Sequence, residues 1–565
     1  MGTGSTPKGV QETAPKLIVL GWDAATWDLL SPWVAEGKLP NLAKLMQSGS
    51  YGSIRSTSLP VSPAAWSTII TGQNPAKHGV FDWFARKEGS YDVEYVHTGQ
   101  IKAKPVWSYF NEAGKRIGVF NLPMLYPAVP LDGFMFSGLA APDAASSGFA
   151  YPAELIQELE ENVGPFWHAE TEVYKYGRED AYLENVLELL DYQKRVVDYL
   201  VREHPCDVYL LVFMQTDHVQ HKFWRYIDPM YPEYDSGYDA QFQDAILQVY
   251  QGVDEQLGDL LAAFGDDTNF VVLSDHGGGP VHGIMYINRW LHEIGMLHLR
   301  DDISTRAKFW LAKRDLIGKA YRIVSKIGLG KVANLVSKPA RNKVLNSFMS
   351  FDDIDWTRTK AYARGAFGQI YVNQKGREPS GIVEPGTAYE QVVTQLIAAL
   401  EKLPHPKTGE PLITDIYRKS EIFNGPYLEN AADVIFSIQN YLFQSSVKMG
   451  LDSESILGKS EYEDSGSHRA DGIVVMSGPG IAEGVSISDA SIADILPTML
   501  ALAGLPVPDD LDGLPLSQAF TESQKHAIKF VSGSSDSLDG TTTPNLDDSE
   551  LTEIEDRLRS LGYLG

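Results

Sequence analysis

Runs of apolar residues set the rhythm of this chain. KLIVLGWD (16–23), RIGVFNL (116–122), CDVYLLVFMQTD (206–217) and NFVVLSDH (269–276) are apolar with little polar interruption. Continuous runs of this length suit strands buried on both faces rather than half-exposed ones. Between them lie stretches with helical spacing: 26–36, a segment from Pro40 to a stop at Gly49, one from Pro63 to Gly72, 182–203 and 239–264. Alternating strands and helices predict an α/β fold with a central, mostly parallel sheet and helices on both faces.

Three of those runs end on an aspartate: Asp23, Asp217 and Asp275. In open α/β sheets ligands bind beyond the carboxyl ends of strands. One aspartate there is ordinary, because aspartate caps the helix that follows. Three on one sheet edge point to a site. The third sits in VVLSDHGGGP (271–280), where His276 follows at once and three glycines come next, expected to let the chain turn sharply.

The second half changes character. Residues 300–343 hold twelve Lys or Arg against three Asp, with broadly helical apolar spacing. This reads as a basic helical insertion or cap with a solvated face, or as a surface for anionic membrane or anionic substrate. KAYARGAFGQIYVN (360–373) returns to a strand-like pattern, and 386–403 reads as a helix. Residues 532–548 are polar and linker-like, and 550–565 have amphipathic helical spacing. The expected division is a core in two parts, 1–299 and 351–520, an insertion at 300–350, and a polar linker with a terminal helix at 521–565.

Composition adds bounds. The chain has 565 residues, too many for one simple core, and a formal net charge of -26. That charge disfavours nonspecific nucleic-acid binding, which needs Lys and Arg to displace counterions. A locally positive pocket for a small anion is compatible with it. The single cysteine, Cys206, forbids an intrachain disulfide. With no signal-like N-terminal segment and no run near the ~20 apolar residues of a membrane span, a cytoplasmic setting is expected. A homo-oligomer is compatible with all of this.

Candidate ligands for a metal can be collected directly. Asp217 and His221 are four apart in TDHVQH, one helical turn, and so share a face. Asp275 and His276 end a strand, Asp23 ends another, and His468 stands in GSHRADGIVV before a further apolar run. Carboxylate oxygen with imidazole nitrogen suits Zn²⁺, or Mn²⁺. Ser62-Pro63 reads as a helix N-cap followed by proline in the first turn. A phosphoryl group on the Ser62 oxygen would meet the free amides of that helix, with Ala64 the nearest downstream donor.

LIVLGWDAA, LPNLAKLMQSGS, SPAAWSTIITGQNPAKHG, TDHVQH, LSDHG, GSHRADG and SIADILPTMLALAGLPVPDDLDG occur in that order between Leu17 and Gly513. The ordered set resembles the alkaline phosphatase superfamily, and within it the type I phosphodiesterase and nucleotide pyrophosphatase branch. It is most similar to a bacterial and archaeal group of phosphohydrolases or phosphomutases. The resemblance implies two adjacent divalent metals, expected to be zinc. One would be held by Asp23, Ser62, Asp275 and His276, the other by Asp217, His221 and His468. It implies a Ser62 nucleophile, a phosphoserine intermediate and a small phosphoester substrate, with diesters preferred.

The pattern departs from the nucleotide pyrophosphatases at one place. Where they carry a phosphate-binding Asn after the His-Gly of the nucleophile segment, HGVFDW puts Trp83 here. His282, Arg364 and Arg469 are further candidates for substrate contact. Sulfatase chemistry needs Cys or Ser followed by x-Pro-x-Arg, which neither Ser62 nor Ser58 has. A phosphomonoesterase or phosphomutase on the same fold, and a docking protein with a relic site, are the other readings.

Overall fold

The computed structural model describes residues 14–142, 148–232, 234, 236–302, 305, 351–450, 453–460, 464–533 and 548–560. Nearly all of the basic segment at 300–343 lies outside them.

Nine strands form the main sheet: β1 (Leu17–Trp22), β2 (Gly49–Arg55), β3 (Ile117–Leu122), β4 (Gly133–Ser137), β5 (Ala150–Tyr151), β6 (Val208–Phe213), β7 (Asn269–Leu273), β8 (Asp471–Ser477) and β9 (Ser486–Ser491). Their order is β9-β2-β8-β7-β1-β6-β3-β4-β5. Strands β7, β1, β6, β3 and β4 run parallel, as do β2 and β9, while β8 lies antiparallel between β7 and β2. The continuous apolar runs are explained by burial on both faces. Leu17 and Val19 join one apolar cluster, and Ile18, Leu20 and Trp22 join the other. The same alternation holds for Val208, Leu210 and Val212 against Tyr209, Leu211 and Phe213.

Helices cover both faces. Helix α1 (Ser62–Thr71) packs on the first cluster and is buried at every residue. Helices α2 (Glu179–Glu203) and α4 (Ala245–Phe264) pack on the second. A third cluster lies under a separate four-stranded antiparallel sheet: Ala361–Ala363, Gly368–Val372, Val434–Ile438 and Ile413–Arg418, with the helix Thr387–Leu400. The chain therefore returns to the main sheet at Asp471. Among the described residues, no helix is long and apolar enough to cross a membrane.

Four local expectations are corrected. The run 206–217 is not strand throughout: β6 stops at Phe213, and Asp217 lies in the first turn of helix α3 (Gln215–Phe223). The helical stretch 239–264 is a short turn, a 3-10 turn and then α4. Gly49 does not stop a helix but opens β2, the cap falling on Ser48. Ser62 is not an N-cap, since Val61 occupies that position and Ser62 is the first helical residue.

Candidate active site

Register brings the site together. Leu17 lies opposite both Val208 and Asn269, so β1, β6 and β7 finish side by side. Asp23 leaves β1 there, Asp275 and His276 follow β7, and α3 starts just past β6. The Thr216 hydroxyl donates to the Asp23 carbonyl at 2.7 Å, tying the start of α3 to the end of β1. Ser274 donates from its hydroxyl to the Ala25 carbonyl at 3.0 Å and accepts from the Ile473 amide at 2.8 Å. His468 arrives on a short strand, Gly466–Arg469, which pairs antiparallel with Gly277–Pro280 and sets His468 opposite Gly278. Helix α1 delivers Ser62.

All seven of these side chains are buried. Asp23, Asp275 and His276 offer ligand atoms within 4.8 Å of one another, and so do Asp217, His221 and His468. In the first set His276 Nε2 is 3.6 Å from Asp23 Oδ1 and 3.3 Å from Asp275 Oδ2. In the second, His221 Nε2 is 3.4 Å from Asp217 Oδ1, and His468 Nε2 is 3.6 Å from the same oxygen. The His276 and His468 rings stack at 3.8 Å, so the sets are adjacent. Ser62 Oγ stands 3.2 Å from His276 Nε2. Each of those two imidazoles gives its other nitrogen to a carbonyl: His276 Nδ1 to Gly277 at 3.1 Å and His468 Nδ1 to Pro60 at 2.6 Å. Both Nε2 atoms then present lone pairs to the carboxylates.

The electrostatics call for positive charge. Burial, then the neighbouring Asp275 and Asp217, push the Asp23 carboxyl well above its ordinary range. Burial pushes Asp275 up to about 6, with Asp217 adding to it and His276 opposing. At Asp217 burial pushes upward, but His221 and then His468 outweigh it and hold the carboxyl below its usual range. His468 is pushed well down by burial and by His276. Asp23 Oδ1 and Asp275 Oδ2 are buried without a hydrogen-bond partner among the described residues. Buried, unpartnered carboxylate oxygens are costly unless a cation meets them. Two sets of carboxylate oxygen and imidazole nitrogen, with orphaned oxygens in the first, fit a pair of divalent cations.

Residues 17–471 match the family model described as type I phosphodiesterase / nucleotide pyrophosphatase. The chain belongs to that family.

The match takes in Ser62 and all six candidate ligand residues. Phosphonoacetate hydrolase from Sinorhizobium meliloti, solved with phosphonoacetate, shares the fold at 14% identity and a TM-score of 0.51, over 87% of this chain and 98% of that one. Murine ectonucleotide pyrophosphatase/phosphodiesterase 5, solved with AMP, gives 13% identity and a TM-score of 0.47 over 88% and 96%. Human arylsulfatase K is 45% identical over 60 residues, 10% of this chain and 11% of that protein. The match to that curated relative thus spans about a tenth of its length.

In this family member the five residues expected to touch substrate are placed as follows. Trp83 is 1% exposed and belongs to the first apolar cluster. Ala64 is buried in the third. His282 pairs with Asp228 at 2.8 Å. The Arg364 guanidinium donates to the Tyr91 carbonyl and lies 4.3 Å over the Phe351 ring. Arg469 donates to the carbonyls of Tyr441, His468 and Pro280, bracing the His468 strand. Trp66 is a site residue that sequence reasoning missed: its indole donates to Asp23 Oδ2 at 2.8 Å. Its signal was a spacing of four from Ser62, which puts both on one face of α1.

Proposed function

We propose that this family member is a phosphoester hydrolase with Ser62 as nucleophile and two divalent cations, zinc by ligand chemistry, held by Asp23, Ser62, Asp275 and His276 and by Asp217, His221 and His468. The observation that carries this reading is the position of Ser62 Oγ. It is buried, 3.2 Å from His276 Nε2, and on the first residue of a helix. A side chain that does not cap its helix and instead faces the ligand cluster is available for chemistry. Bound cations would supply Lewis acidity to the attacking and leaving oxygens. The chain's own part is placement. Trp66 fixes the Asp23 carboxylate, Pro60 fixes the His468 ring, and the first turn of α1 offers a positive dipole end to a phosphoryl group on Ser62. Transfer to Ser62 forms the Oγ–P bond as one ester P–O bond breaks and its alcohol leaves, and water then cleaves the Oγ–P bond, releasing a phosphomonoester from a diester or phosphate from a monoester.

Family membership supports a preference for diesters and a small anionic substrate. The test is turnover of a phosphodiester and a phosphomonoester panel by zinc-loaded protein, beside Ser62→Ala. Loss of kcat by about 10³-fold or more with both cations still bound supports the proposal. Unchanged turnover in that variant would sink the serine mechanism, and phosphate returned to substrate rather than to water would replace hydrolase by mutase.

A further inference from the structure

One buried ion pair beside the ligand cluster has no part in the scheme so far. Lys222 Nζ lies 2.5 Å from Asp464 Oδ1, with side chains 2% and 1% exposed. The same Asp464 oxygen stands 4.0 Å from His221 Nδ1. His221 Nε2, on the other side of the ring, faces Asp217 Oδ1 at 3.4 Å and His468 Nε2 at 3.1 Å. The imidazole thus sits between a carboxylate and the ligand cluster.

The backbone fixes this arrangement. The Ser465 amide donates to the His221 carbonyl at 2.7 Å, and the Ser465 hydroxyl donates to the Lys222 carbonyl at 3.1 Å. The Arg225 amide donates to the Ser465 hydroxyl oxygen at 3.1 Å. Asp464 and Ser465 lead directly into the strand that carries His468, and Lys222 follows His221 on α3. The pair therefore joins the two segments that supply the second ligand set.

A buried ion pair is a poor device for stability, because apolar residues of similar volume serve as well. It is a good device for orienting an imidazole. At 4.0 Å the carboxylate is beyond hydrogen-bond range of His221, yet close enough in a buried setting to favour a proton on Nδ1. That leaves the Nε2 lone pair for a cation, a through-space counterpart of the hydrogen bond by which carboxylates position histidine ligands. Lys222 supplies the counter-charge, so that Asp464 adds no net negative charge to a cluster already rich in carboxylates.

We propose that Asp464, neutralised by Lys222, is a positioning residue that orients His221 for the second cation. The inference rests on the two-cation reading. Cobalt titration of the full chain, followed by its visible absorption and by chelator competition, separates the two. Wild type is expected to bind two equivalents. In the double variant Lys222→Met/Asp464→Leu, one equivalent should keep wild-type affinity and the other should weaken by about 10- to 100-fold with an altered cobalt spectrum. Its melting temperature should stay close to wild type, since the pair is replaced by apolar volume. Asp464→Asn, which preserves shape, reads the same affinities if the double variant does not fold. Two equivalents at wild-type affinity in either folded variant would overturn the positioning role alone. Fewer than two in wild type would overturn it together with the two-cation reading.

Discussion

A methyl group added at Gly277 would sit 2.1 Å from the carbonyl oxygen of Asp471, an atom held by the main sheet. At Gly279 it would meet the Arg469 guanidinium, whose Nε would be 2.4 Å away. The glycines after Asp275-His276 do not turn the chain, contrary to the sequence-based expectation. They run as an extended strand against Gly466–Arg469, and their missing side chains let two backbones and an arginine close on the ligand cluster. Gly277→Ala is expected to cost about 1–3 kcal/mol, because the obstructing atom is backbone and cannot swing away. Since Gly277 pairs with Arg469, next to His468, cobalt affinity should fall along with the urea midpoint. A variant as stable as wild type, with unchanged cobalt binding, would show that the close approach is not needed.

Helix α1 presents Ser62, and its middle is anchored by a histidine that never touches the ligands. His78 Nδ1 accepts from the Val80 amide at 3.2 Å, so Nε2–H is left to donate to Thr68 Oγ at 3.0 Å, and Thr68 donates onward to the Ala64 carbonyl at 2.9 Å. Burial pushes the His78 imidazole down to about 3 from an ordinary 6.5. The folded state therefore refuses a proton that the unfolded chain accepts below pH 6.5. His78 contributes stability that is complete above that pH and is lost as pH falls toward 3, by up to about 3–5 kcal/mol. His78→Gln, which keeps a neutral donor, should be less stable than wild type at pH 7.5, with the gap narrowing by pH 4 in chemical denaturation. Parallel curves for the two proteins would rule out a buried neutral His78. At this scale the sequence was readable wherever a contact is local or periodic. Four of the five parallel strands, β1, β3, β6 and β7, appear as apolar runs, Asp217 and His221 as one helical turn, and His276 as a strand end. Ser62 was misplaced as a cap because the partner that claims its hydroxyl, His276, is 214 residues away. Asp464 passed unnoticed because DSGSHR has loop composition, and only the fold shows that its carboxylate is 1% exposed. Arg364 and Arg469 looked available to an anion, but the Tyr91 carbonyl accepts from the first, and the Tyr441 and Pro280 carbonyls, far along the chain, accept from the second.

Across the whole molecule, the first apolar cluster reaches from β1 to the far end of the chain. The terminal helix Asp548–Ser560 buries Ile554 and Leu558 in the same cluster as Leu17 and Val19. Arg557 on that helix donates to the Ala141 carbonyl at 2.7 Å and lies 2.8 Å from His168 Nε2. The loop after His168 carries Glu170, which pairs with His218 at 2.7 Å on the helix that holds Asp217 and His221. The polar stretch before this helix suggests an appendage, yet its apolar face completes the main core. Removing the Leu558 side chain should cost about 2–5 kcal/mol, the range for a fully buried leucine cut to alanine. The cost should appear as one cooperative transition shifted to lower urea, because the cavity opens in the core that also holds β1. Fluorescence and circular dichroism should then report the same midpoint for Leu558→Ala. An early transition confined to helical signal, with the remaining midpoint at its wild-type value, would mean that the helix docks on a core already complete without it.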